Sequence, residues 1–104
     1  MPKYMVLYHT NPERWPTDPK QALAIWEATA KGADQLLKMG MAKEIGWFTN
    51  LEGYTVFEAE SKEKVLEMVT PFFPFFSETI HEVVPYEKGR DAILAGARRA
   101  ASSM

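Results

Sequence analysis

His9, His81 and Glu58 are the side chains of this sequence best suited to moving a proton. Histidine titrates near neutral pH and serves as acid or base without further tuning. Glu58 alternates with Tyr54 and Val56 along one side of an expected strand, and a carboxylate on an apolar wall has its pKa raised. A buried lone carboxylate is costly unless it is partnered. Glu58 therefore either works in a site or pairs across a sheet with a lysine such as Lys3 or Lys43. His81 lies in an otherwise apolar strand and His9 beside a loop, and both are ordinary structural positions for histidine. Two histidines and a carboxylate suit zinc or iron, but no closely spaced ligand pair supports such a site, and no metal is expected.

A second group is aromatic. Ligand sites are mostly apolar with a few polar groups. Trp15, Trp47, Tyr54, Phe72, Phe73 and Phe76 are therefore the expected walls of a pocket for a flat or hydrophobic small molecule. Phe75 belongs to the same run, and ordinary core or a dimer interface would use the same residues. Trp26, on the inner side of a long helix, reads as core.

These residues must be positioned by few elements. Residues 3–9, 41–48, 53–60 and 78–86 read as strands. Asp18 before Pro19 is a helix start, because Asp caps and Pro suits the first helical position. Ala22, Trp26, Thr29, Ala30, Ala33, Leu36 and Leu37 continue that helix at helical spacing to about Met39, with Gly40 as the C-cap. Gly32 within it implies close helix–sheet packing. Residues 49–53 read as a hairpin turn, and Ser61 caps a short helix that Pro71 ends. Residues 88–103 form an alanine-rich C-terminal helix. The order β-α-β-β-α-β plus a helix predicts an α+β, ferredoxin-like domain over residues 1–104, a four-stranded antiparallel sheet with helices on one face, with its core in 3–86.

The expected strand order is 4-1-3-2, with strand one parallel to strand three and antiparallel to strand four. On that reading His9, His81, Glu58, Glu60, Arg14 and Trp15 meet at one rim. Strand one is apolar on both sides, through Tyr4, Val6 and Tyr8 and through Met5 and Leu7. A strand apolar on both sides is covered on both faces. Helices cover one, and a second copy of the chain is the economical cover for the other.

The composition, 46% hydrophobic and 25% charged, is that of a globular domain. A net charge of −2 with scattered basic residues argues against nucleic acid, which needs a basic stripe. With no cysteine there is no disulfide, thiolate nucleophile or thiolate metal site, which fits a reducing cytoplasm. No apolar run has the length of about 20 residues that spans a membrane. No dinucleotide or phosphate-binding fingerprint is present, and no cofactor is expected.

Three stretches, Tyr4-Met5-Val6-Leu7-Tyr8, Gly53-Tyr54-Thr55-Val56-Phe57-Glu58 and Glu82-Val83-Val84-Pro85, resemble the dimeric α/β-barrel (ferredoxin-like) superfamily. That superfamily includes antibiotic-biosynthesis monooxygenases and muconolactone isomerases, and the likeness is greatest to a small uncharacterised family within it. It covers roughly residues 3–86 and carries the fold better than any activity. The C-terminal helix departs from the minimal pattern. The resemblance implies a homodimer, or a higher even oligomer, with a small, largely apolar ligand held between sheet and helices. Cofactor-free oxygenation or isomerisation would then use Glu58, His81 and His9 as acid–base groups. The alternative is a non-catalytic ligand-binding or assembly protein of the same fold.

Overall fold

The structure, a computed structural model, describes residues 1–103. Its elements run β1 (Lys3–Thr10), α1 (Pro19–Lys38), β2 (Ala42–Trp47), β3 (Gly53–Glu58), α2 (Lys62–Val69), a 3-10 turn (Thr70–Phe72), β4 (Phe76–Val83) and α3 (Tyr86–Ser102). The strands form one antiparallel sheet of order β2-β3-β1-β4. This is an α+β fold consistent with a ferredoxin-like arrangement. Among the described residues no helix is long and apolar enough to cross a membrane.

The helix starts follow local chemistry. The Asp18 side chain accepts from the Lys20 amide at 3.0 Å, and the Ser61 hydroxyl accepts from the Lys64 amide at 3.2 Å. Each cap satisfies an amide that a helix N-terminus otherwise leaves bare. At the far end of α1, Met39 is the cap residue and Gly40 follows at φ +77°, the left-handed turn that glycine adopts without cost. Gly32 is closely packed, but against the ring of Phe72 rather than the sheet: an added Cβ would lie 3.3 Å from that ring.

One expected pairing is corrected. β1 runs antiparallel to β3, with Lys3 opposite Glu58 and Tyr8 opposite Gly53. The crossover through α1 leaves β1 and β2 pointing the same way, and the hairpin then reverses β3. β4 also differs in extent: it starts at Phe76 and stops at Val83. Pro85, which has no amide to give a ladder, instead precedes α3.

Alternation divides the sheet into two faces. Tyr4, Val6, Thr55, Phe57 and Phe76 are buried beneath the helices, joined by Val65 and Val69 of α2 and by half-buried Leu36 of α1. Burial of each large side chain here contributes about 1.5–3 kcal/mol. The registers place Lys3, Met5, Leu7 and His9 of β1 on the other face, beside Glu58, Val56 and Tyr54 of β3 and Val83, His81, Thr79 and Ser77 of β4. Among the described residues no helix covers this open face.

Candidate functional site

Glu58, His81 and His9 all lie on the open face, yet the register holds them apart. His9 is opposite Ser77 and His81 opposite Met5. Four residues of strand separate the two histidines, about 14 Å at a rise near 3.4 Å per residue. Glu58, opposite Lys3, is about 20 Å of strand from His9 by the same rise. The shared rim required β1 and β3 to be parallel. With the strands antiparallel, the end of β1 that bears His9 meets the beginning of β3 instead. His9 Nδ1 lies 3.3 Å from Glu52 Oε2, and Glu58 lies 3.6 Å from Lys43 Nζ. The lysine pairing considered for Glu58 is thus the contact it makes. None of the three borders the cavity or the groove of the covered face described below.

The covered face has a different chemistry. Trp26 of α1 is the centre of an aromatic wall, with ring centroids 4.9 Å from Trp15, 5.4 Å from Trp47 and 5.7 Å from Phe76. Tilted and edge-on rings at these separations are favourable arrangements. The 10–18 loop is tied down to bring Trp15 there. The Asn11 amide donates to Phe75 O at 2.9 Å, the Asn11 side chain to Pro74 O at 3.2 Å, and the Trp15 amide to Asn11 O at 3.0 Å. Phe72 meets Tyr8 edge-on at 5.9 Å.

Behind this wall, between sheet and α1, is a cavity of about 30 Å³ bordered by Tyr8, Thr29, Leu36, Thr55, Phe72 and Phe76. It has room for about two water molecules. A groove of about 430 Å³ runs outside it between α1 and the Phe-rich segment, lined by Ile25, Ala28, Gly32, Met68, Pro71 and Phe75. Thr29, Leu36, Phe72 and Phe76 border both.

Of the residues expected to wall a pocket, Trp47, Phe72 and Phe76 border the cavity, and Trp15 meets Trp26 and Phe76. Tyr54 borders the cavity, while its ring stacks on Phe48 and its hydroxyl donates to Glu44, which raises the phenol's pKa. Phe73 is 65% exposed and borders neither void.

Two polar groups at this site escape a reading by residue type. Tyr8 and Glu78 are opposite each other in the β1–β4 ladder, on the covered face, where cross-strand Cβ atoms are about 4.5–5.5 Å apart. Burial pushes the Tyr8 phenol up to about 12; the Thr55 hydroxyl lowers it and the Glu78 charge adds to the rise. Tyr8 therefore remains a hydrogen-bond donor at any physiological pH. Burial also raises the Glu78 carboxyl above its ordinary value, against a smaller opposing backbone hydrogen bond. Oε1 of Glu78 is buried with no hydrogen-bond partner among the described residues. The available signal was the alternation Phe76, Glu78, Ile80, a carboxylate inside an apolar set. It is hidden when β4 is started at residue 78.

Among the described residues, no three His, Cys, Asp or Glu side chains converge as a metal site would require. No family model matches the chain, and no curated protein matches it.

Proposed function

We propose that this chain is a cytoplasmic, homodimeric α/β-barrel protein that binds a small, largely apolar organic molecule on the covered face of its sheet. The observation that carries the ligand reading is the groove of about 430 Å³, which shares Phe72 and Phe76 with the cavity that Tyr8 borders. A ligand lying on these rings contacts mostly carbon; Thr29 and Gln35 of the groove are polar groups that could orient it, and Tyr8 of the adjoining cavity, with Glu78 opposite it in the ladder, lies beyond the shared rings. Acid–base chemistry of the oxygenase or isomerase kind would run through this pair. Tyr8 donates, and Glu78, with its raised pKa, accepts a proton from a weakly acidic ligand. The dimer reading is supported by the open face, where Met5 is about a third exposed, with Leu7 next to it along β1, Val56 opposite it on β3 and the similarly exposed Val83 diagonal to it on β4. Exposed apolar side chains rimmed by polar ones, here Lys3, His81 and Glu58, mark an association site.

Native mass spectrometry of the protein purified from its own host tests both parts. The expected spectrum is an even-numbered oligomer carrying extra mass from a retained organic molecule. A monomer at micromolar concentration refutes the barrel. A dimer that retains no mass and fails to saturate with an apolar fluorescent probe refutes the ligand site.

A further inference from the structure

α3 stands apart from the body of the protein. None of its residues is buried, and Tyr86 and Ile93 are 78% and 72% exposed. The radius of gyration is 17.6 Å and the long axis 61 Å, whereas a compact chain of this length has a radius of about 13 Å. The helix is nevertheless amphipathic. At 100° per residue, Tyr86, Ile93, Leu94, Ala97, Ala100 and Ala101 share one side. Lys88, Asp91, Arg98 and Arg99 occupy the opposite side. Arg90, within the apolar stripe, lies over the Tyr86 ring at 5.7 Å. A lone helix of this size is marginal in water. Gly89 and Gly96 each cost it about 1 kcal/mol relative to alanine. The stripe requires a cover that its own body does not provide.

We propose that the cover is a second copy of this chain, with α3 of each protomer lying on the body of the other. This rests on the homodimer proposed above and states how it is held together. Charge favours this occupant. Residues 86–103 carry four Lys/Arg and two Asp/Glu, a net +2, and residues 1–85 carry eight and twelve, a net −4. Area favours it too. A helix of 17 residues is about 25 Å long and 10 Å across, so covering half its circumference buries roughly 400 Å². In a reciprocal exchange each protomer gives one such strip and receives another, which brings it to the roughly 800 Å² per partner of a stable interface. One arm on an unrelated protein reaches half of that. Position agrees as well: α3 leaves from β4, an edge strand, just beyond Val83 on the open face. Two-fold pairing of open faces sets each arm at the margin of the other body.

The test is light scattering after size exclusion, together with amide hydrogen exchange, on the full chain and two variants. The full chain is expected to be dimeric at micromolar concentration with protected α3 amides. Ile93→Asp with Leu94→Asp is expected to raise the dimer dissociation constant by about tenfold or more, about 1.4 kcal/mol, and to leave α3 exchanging freely. The body should keep its native circular dichroism. Ala95→Asp, on the polar side of the same helix, is expected to change neither property. A dimer whose α3 amides exchange as fast as an unstructured peptide, or that ignores the double variant, overturns the arm exchange and leaves the homodimer standing. A chain monomeric at micromolar concentration overturns both.

Discussion

The two faces of the sheet carry opposite kinds of chemistry. The open face holds the residues that look catalytic by type, His9, His81 and Glu58, but spreads them along the strands and pairs two of them with Glu52 and Lys43. The covered face holds a tyrosine and a glutamate of unremarkable type. Burial there raises the pKa of both and leaves one carboxylate oxygen unpartnered beside an aromatic wall. The two sets differ in surroundings rather than residue type: solvent and, for two of the three, an oppositely charged neighbour surround the first set, and burial acts on the second.

The contrast is sharpest between adjacent residues of β3. Phe57, fully buried under the helices, is expected to cost about 3–5 kcal/mol when changed to alanine. Val56→Ala, on the open face, should cost the protomer less than about 1 kcal/mol and weaken dimer affinity instead. Urea unfolding at two protein concentrations separates these effects, and equal concentration-independent losses would erase the distinction between faces. Met5→Asp is the next largest. It should raise the dimer dissociation constant about tenfold, about 1.4 kcal/mol, as read by sedimentation velocity, while the monomer stays folded.

Glu78→Gln has a smaller effect with a defined pH dependence. Burial raises the folded-state pKa above the ordinary 4.5, so on unfolding the carboxyl becomes more acidic and releases its proton at lower pH. Stability is therefore greatest below 4.5 and falls as pH rises through the folded-state value. The glutamine variant should be more stable than the parent at neutral pH, and the gain should vanish below pH 4.5. Melting temperatures across that range decide it, and a gain that grows in acid contradicts the assignment. Glu58→Gln should be the mildest change, within about 0.5 kcal/mol, because its ion pair with Lys43 is solvent-exposed.

Much of the fold was legible in the residues. Asp18-Pro19 and Ser61 begin helices where their capping chemistry says they should. The alternation in β3 separates Thr55 and Phe57 from Val56 and Glu58 correctly. The direction of the β1–β3 pairing was not read correctly, although the crossover and hairpin together require it to be antiparallel. That one reversal brings together or separates His9 and Glu58. The Tyr8–Glu78 pair was obscured for a related reason. Starting β4 two residues late hides Phe76, and with it the apolar set into which Glu78 falls. Trp26 was placed inward from helical spacing, but its contacts with Trp15 and Trp47 depend on a loop conformation that no local pattern encodes.

The central claim is that the covered face binds the ligand, and one titration addresses it. The binding of 8-anilinonaphthalene-1-sulfonate is followed by energy transfer from tryptophan in the parent, in Phe72→Ala and in His81→Ala. The expected result is one saturable site, weakened about tenfold by the Phe72 change and within about twofold of the parent in the His81 variant. Weakening by His81→Ala with full binding in Phe72→Ala would place the ligand on the open face and contradict the account.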